Sequence, residues 1–384
     1  MKFAHLADCH LGGWRHPNLQ KLNFESFQTA LNKCVKENVE FILIAGDLFD
    51  SAYPPMDIIK ETFYEFRKLK EAKIPVFLIA GSHDYSISGK SFLDVLEKAG
   101  FAKNVLSYQE RDGSIILEPT IYKNVAIYGY PGKKSGLEVY DIEKIKIQDA
   151  PGLFRILMLH TTLRDAIGSL PIPSVNQNSL PKVDYIALGH LHTKYQKENR
   201  VYAGATFPNN SGELETLKCG SFYIVDTSGK IERHEIKLKE VLVLDLEIND
   251  SIVGADKIIE ELKNHELKDK IFILKLKGIL ERGRISDIDF NKIELFAEEQ
   301  GVYVFLKNTT KLQSLVQEVE IELKSANAEE EIISKFKEKN NHKFNELVSP
   351  LILSLQIEKK EDESARVFDD RLFSEVKKII SYEA

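Results

Sequence analysis

The chain has 384 residues, 43% of them hydrophobic and 29% charged, which excludes a lone small binding module and a chain-wide disordered protein and predicts two or three domains. The net charge of −7 is uneven: residues 1–200 carry 25 Lys and Arg against 23 Asp and Glu, while residues 201–384 carry 27 against 36, so global charge neither demands nor forbids a nucleic-acid partner. Three cysteines without a CxxC pair exclude a disulfide scaffold and a thiolate zinc cluster, which leaves His and carboxylate as ligands for any metal.

In chain order, short apolar runs at Lys2 to Leu6, Phe41 to Ala45, Val76 to Ala80, Val125 to Tyr128, Phe154 to Leu159 and Asp184 to Leu188 predict strands buried between layers. Between them, Phe24, Phe27, Leu31, Cys34 and Val35, then Ile58, Ile59, Thr62, Phe63, Phe66 and Leu69, fall on single helical faces, giving an α/β first half. From residue 200, Val201 to Ala203, Ser221 to Asp226, Ile231 to Leu238 and Val241 to Ile248 read as consecutive antiparallel strands, with a turn at Thr227-Ser228-Gly229-Lys230. A helix near Asp256 to Lys263, a strand Ile271 to Leu276, a helix Asp289 to Glu299 and a strand Val302 to Leu306 form a smaller α+β unit, with the boundary near residue 240. A polar stretch from Ala326 reads as a linker, and two apolar stripes follow, Phe344, Leu347, Val348, Leu351, Ile352 and Leu355, then Phe368, Leu372, Val376 and Ile379. No apolar run reaches about 18 residues and no secretory leader follows Met1, so the expectation is an intracellular, cytoplasmic chain without a membrane partner.

The polar residues that follow the strands carry the chemistry. Strand one ends in Asp8-Cys9-His10, strand two in Gly46-Asp47-Leu48-Phe49-Asp50, strand three in Gly81-Ser82-His83-Asp84, strand five in His160, and strand six in Gly189-His190-Leu191-His192. Imidazoles and carboxylates at the carboxyl ends of α/β strands converge on one crevice. Ligands two apart, as in Asp8-x-His10 and His190-x-His192, point to the same side of extended backbone. An oxygen and nitrogen ligand set without thiolate suits Mn²⁺, Fe²⁺ or Zn²⁺, and two such ions clamp the oxygens of an in-line phosphoryl displacement. Phosphoester hydrolysis is the predicted reaction class. His5, within strand one, reads as a packed side chain instead, and Cys9 as a small core residue.

This ordered set resembles the calcineurin-like metallophosphoesterases. Within them, His5-Leu6-Ala7-Asp8-Cys9-His10-Leu11-Gly12, Ala45 to Asp50 and Tyr185 to His192 are similar to the double-strand-break repair nucleases of the SbcD type, whose archaeal and eukaryotic members are called meiotic-recombination-eleven nucleases. The resemblance implies a two-sheet α/β/β/α sandwich over residues 1–240, an α+β capping domain that binds DNA over 241–325, a linker over 326–343 and a helical ATPase-binding segment over 344–384. It implies two Mn²⁺, with Mg²⁺ or another divalent ion as substitute: Asp8, His10 and His192 hold one, Asp47 bridges, and His160 and His190 hold the second. His83 acts on the scissile phosphate and Asp84 orients it. The family's usual Asn before that histidine is Ser82 here, as a shorter ligand to the second ion, and Asp50 stands where archaeal members often carry His. The implied activity is 3′ to 5′ exonuclease on duplex DNA and endonuclease on single strands, in a nucleoid-associated homodimer with an SMC-like coiled-coil ATPase of the SbcC or Rad-fifty type. The competing readings of the same residues are a phosphoesterase for small molecules or phosphoproteins and a metal-free scaffold.

Overall fold

The computed structural model describes residues 1–86, 90–314, 345–355, 357 and 365–380. The chain divides into two compact units, Met1–Leu315 and Val316–Ala384.

The first unit is built on two six-stranded sheets. One runs in the order β15 (Ile231–Ile236), β14 (Gly220–Asp226), β1 (Lys2–Leu6), β2 (Phe41–Ala45), β3 (Val76–Ile79) and β4 (Lys103–Asn104). The other runs β12 (Tyr195–Lys197), β13 (Arg200–Tyr202), β11 (Tyr185–Gly189), β10 (Phe154–His160), β8 (Val125–Tyr130) and β7 (Thr120–Tyr122). Strands β1 to β4 are mutually parallel, as are β8, β10, β11 and β13, and antiparallel pairing in these two sheets comes from β7, β12, β14 and β15.

Period-two alternation explains the layering. Phe3, Phe41, Leu43, Phe77 and Ile79 face Ile156, Met158, Tyr185 and Ala187 in a core between the sheets, with Phe3 and Phe41 stacked at 5.0 Å. The intervening residues Ala4, Leu6, Ile42, Ile44, Val76 and Leu78 point outward, under Phe27, Leu31 and Cys34 of α1 (Pro17–Lys36), Phe66 and Leu69 of α2 (Met56–Glu71), and Leu93 and Leu96 of α3 (Phe92–Lys98). On the far face, Leu157, Leu159, Ile186 and Leu188 are covered by Val139 and Ile142 of α4 (Glu138–Ile142) and by a small sheet, β5 (Tyr108–Arg111), β6 (Ser114–Leu117) and β9 (Ile145–Ile147). The short helix α5 (Arg164–Ile167) adds Ala166 to this layer. The result is the expected α/β/β/α sandwich.

The expected run of antiparallel strands after residue 200 needs correction. Only β14 and β15 pair that way; Val201 and Tyr202 of β13 instead run parallel to β11, and β16 (Val241–Glu247) leaves for a third sheet, where it lies parallel to β17 (Ile271–Leu280), itself parallel to β18 (Val304–Ser314). Helix α7 (Gly254–Leu262) and helix α8 (Phe290–Glu299) supply the crossovers that parallel pairing requires, and their Ile258, Leu262 and Ile293 cover one face of the third sheet. The other face packs Val241, Ile271, Ile273 and Val304 onto Leu19 and Leu22 of α1 and Leu214 of α6 (Ser211–Leu217), with Trp14 at the edge of the seam.

In the second unit, α9 (Asn345–Leu355) packs against α10 (Ala365–Ile380). Leu353, Leu355, Phe373 and Ile380 remain exposed. The expected linker at 326–343, Phe344 and the charged run at 358–363 lie outside the described residues.

Candidate metal centre

Parallel pairing places the carboxyl ends of β1, β2 and β3 in one sheet beside those of β10 and β11 in the other. The loops that follow are laced together: the Asp8 amide donates to Gly46 O at 3.0 Å, the His10 amide to Asp47 O at 3.0 Å, the His190 amide to Asp8 Oδ1 at 2.9 Å and the His83 amide to Asp47 Oδ1 at 2.8 Å. Asp8, His10, Asp47 and His190 all have positive φ, at 50°, 43°, 50° and 97°. Such backbone is strained for residues with a Cβ, and its concentration at four side chains of one cluster marks a functional site. Gly46, with φ +89°, has no alternative, since a Cβ there would sit 2.2 Å from His160 Nδ1.

Three triplets of ligand atoms form among the described residues: Asp8, His10 and His192 in one, Asp8, Asp47 and His160 in a second, and His10, Asp50 and His83 in a third. In the first, His10 Nδ1 lies 3.0 Å from Asp50 Oδ1 and His192 Nδ1 lies 2.9 Å from both carboxylate oxygens of Glu213. A carboxylate only accepts, so each Nδ1 carries the proton and each Nε2 is left as a lone pair. Those two Nε2 atoms are 3.1 Å apart. With metal–nitrogen bonds of about 2.0–2.1 Å, neighbouring ligands on one ion lie roughly 3 Å apart, so the pair fits a shared divalent cation. In the second triplet, His160 Nδ1 donates to Ala45 O at 3.0 Å, which turns Nε2 toward Asp47 Oδ2 at 3.2 Å. The same Asp47 oxygen lies 3.7 Å from His10 Nε2, so it faces ligand atoms of the first two triplets.

The charge balance supports the same fit. Burial by itself raises the Asp47 carboxyl, but the imidazoles of His160 and His10 outweigh it and hold the group well below the ordinary carboxylate range. Burial opposes charging His160, yet Asp47 and Asp8 push it up to about 10. The buried atoms Asp8 Oδ2 and His160 Nε2 have no hydrogen-bond partner among the described residues. Cations there would replace the proton on His160 and satisfy both atoms.

Among the strand-end residues read from the sequence, Asp8, His10, Asp47, Asp50, His83, His160 and His192 fall in the ligand triplets, while Ser82, Asp84 and His190 fall in none of them. Asp84 does not touch the His83 ring: its oxygens accept from the amides of Leu48 at 3.1 Å, Phe49 at 3.0 Å and Gly81 at 3.1 Å, so it clamps the loops after β2 and β3. Burial, and then the charge of Asp47, push its carboxyl up to about 6. Asp50 takes the orienting position instead, with His83 Nδ1 donating to its carbonyl at 2.9 Å and facing its carboxylate at 3.5 Å. Ser82 Oγ reaches Asp47 Oδ2 only at 3.4 Å, and the His190 ring stands against His160 with centroids 5.2 Å apart. His5 is buried against Tyr185 OH at 2.9 Å, and Cys9 is wholly buried.

Sequence reasoning missed Glu213, which follows α6's capping residue Asn210 by three positions. That N-x-x-E pattern reads as a helix cap and nothing more. Beside the ligand cluster a groove opens, lined by Asp50, Tyr53, His83, Tyr85, Lys134 and Ser135. His83 is 45% exposed at its rim.

Residues 1–194 match the calcineurin-like phosphoesterase family. Among curated proteins, the DNA double-strand break repair protein Mre11 of Methanosarcina acetivorans is 28% identical over 322 residues, covering 79% of this chain and 49% of that protein. The proteins of the same name from Archaeoglobus fulgidus and Methanocaldococcus jannaschii are 26% and 28% identical, covering 85% and 76% of this chain and 77% and 84% of theirs. The chain spans about half the length of the Methanosarcina relatives it matches. Among the described residues no helix is long and apolar enough to cross a membrane. With the family match spanning the whole cluster of strand-end ligands, the chain belongs to the calcineurin-like phosphoesterases.

Proposed function

We propose that the protein is a Mn²⁺-dependent nuclease that processes DNA double-strand breaks, a 3′ to 5′ exonuclease on duplex DNA and an endonuclease on single strands. The observation that carries this reading is the reach of the similarity. Alignments to the repair proteins named Mre11 extend well past the 194 residues of the phosphoesterase match, to 85% of the chain in the Archaeoglobus case. A small-substrate phosphoesterase has no use for the additional domain and helices.

Asp8, His10 and His192 would hold one Mn²⁺, and His160 and His190, with Ser82, would hold the other, with Asp47 shared between them. When bound, the ions activate water and neutralise charge on the phosphoryl oxygens. The protein's own part is placement. The Asp50 carbonyl fixes the Nδ1 proton of His83 and leaves Nε2 at the groove rim, where it stabilises the phosphate or protonates the leaving oxygen. The Asp50 carboxylate lies 3.5 Å from the same ring nitrogen. Lys134 and the tyrosines 53 and 85 line the path for the strand, as a cation for phosphate and rings for stacking.

Residues 1–240 act as the nuclease and 241–325 as a DNA-binding cap, while 344–384, joined by a linker at 326–343, dock an SMC-like coiled-coil ATPase through apolar side chains such as Leu353, Leu355 and Phe373. The working form is a homodimer. The test is cleavage of 5′-labelled duplex DNA with Mn²⁺, with and without the ATPase. Stepwise shortening from the 3′ end supports the reading. Turnover of small phosphate esters with intact DNA under every condition refutes it.

A further inference from the structure

Helix α6 contacts both the ligand cluster and the third sheet through three consecutive residues. Glu213 holds His192 Nδ1 with both oxygens at 2.9 Å, and is itself held by the Asn209 amide at 2.8 Å and Asn210 Nδ2 at 2.7 Å. Leu214 is fully buried in the seam with Val241, Ile271, Ile273 and Val304. Glu215 is ion-paired with Lys275 on β17. The helix is only seven residues long and is fixed at its start by Asn210 Oδ1, which accepts the Glu213 amide at 2.9 Å. One turn therefore has no slack: a shift of Leu214 or Glu215 with the third sheet must move the Glu213 carboxylate.

The geometry points to Glu213 as the positioning residue for His192, and to α6 as the strut through which the seating of the third sheet sets the strength of the His192 metal site. This rests on the metal reading of the site above and adds to it a mechanical link between the nuclease core and the cap. Glu213 fixes the tautomer that leaves Nε2 as a ligand, and fixes the ring plane so that Nε2 meets His10 Nε2 at 3.1 Å. The Glu215–Lys275 pair and the Leu214 contact fix Glu213. A partner or DNA that shifts the cap would thereby change metal affinity at one ion and not the other.

The experiment is calorimetric titration of Mn²⁺ into the metal-stripped full chain, with His192→Ala identifying which binding step belongs to that side. Glu213→Ala should weaken that step by about 10- to 100-fold, and Glu213→Gln, which keeps an acceptor oxygen, should recover most of the loss. Lys275→Met, whose bulk preserves the seam, should weaken the same step by about 2- to 30-fold with an unchanged melting temperature. Unchanged affinity in Glu213→Ala would overturn the positioning role, and unchanged affinity in Lys275→Met would overturn the link to the third sheet. Equal weakening of both steps would also overturn it, as general loosening. Absence of two binding steps in the wild-type chain would instead refute the metal reading on which the inference rests.

Discussion

Asp84→Ala separates a loop clamp from a catalytic partner. The carboxylate is 1% exposed and accepts three backbone amides, from Leu48, Phe49 and Gly81, at 3.0–3.1 Å. Removing it leaves three buried donors unpaired, each costing about 1–3 kcal/mol. Against that stands the cost of the charge itself, since burial and Asp47 push the carboxyl up to about 6 and ionising it at pH 7 costs the folded state about 3 kcal/mol. The net expectation is a loss of up to about 6 kcal/mol, with Asp84→Asn, which retains one acceptor oxygen, losing less. Urea denaturation should show a lower midpoint with the same slope, and Mn²⁺ affinity should fall because the loops carrying Asp47 and Ser82 loosen together. If Asp84→Ala keeps wild-type stability and loses only turnover, the residue acts on His83 and the clamp argument is wrong.

Replacing His83 with Ala should abolish hydrolysis with both ions still bound, measured by metal content of the purified variant; loss of metal would show that it is a ligand. Ser82→Asn should tighten the weaker Mn²⁺ step in a titration, because an amide oxygen reaches beyond a hydroxyl that now stands 3.4 Å from Asp47, whereas unchanged affinity would mean that the second ion is already fully coordinated. His5 supplies a pH dependence. Burial lowers it from 6.5 to about 3, so below pH 6.5 the unfolded chain binds a proton that the folded chain refuses, and stability falls with pH by about 2 kcal/mol between pH 6.5 and 5 from this group alone. In His5→Gln that slope should be shallower by the same amount in urea midpoints taken at both pH values, and identical slopes in the two proteins would contradict the buried neutral imidazole.

The layers of the sandwich were legible because alternation along Lys2 to Leu6, Phe41 to Ala45 and Phe154 to His160 assigns each side chain to a face, and each run ends at or within two residues of a candidate ligand, His160, Asp8 or Asp47. The small strands β5 and β9 were not, because Tyr108–Arg111 is exposed throughout and Ile145–Ile147 is three residues long, too little for a period. Pairing direction was the larger loss. Val241–Glu247 has the composition of a strand, but nothing in it says that it abandons β15 to run parallel to Ile271–Leu280, 24 residues downstream of its end. At the site, the candidate ligands are written in motifs, whereas the partner that each orienting group takes is not. Glu213 meets His192 from a helix 21 residues away, and Asp50 reaches both His10 and His83 from the far end of its loop, so only the folded backbone assigns either a partner.

The most direct test of a two-ion nuclease centre is cleavage of circular single-stranded DNA, which offers no ends, by the metal-stripped chain before and after Mn²⁺ is restored, with His83→Ala beside it. The wild-type chain should linearise and then degrade the circle only with Mn²⁺, and the variant should bind Mn²⁺ and leave the circle intact. An intact circle at saturating Mn²⁺, with two ions bound to the wild-type chain, would contradict the account.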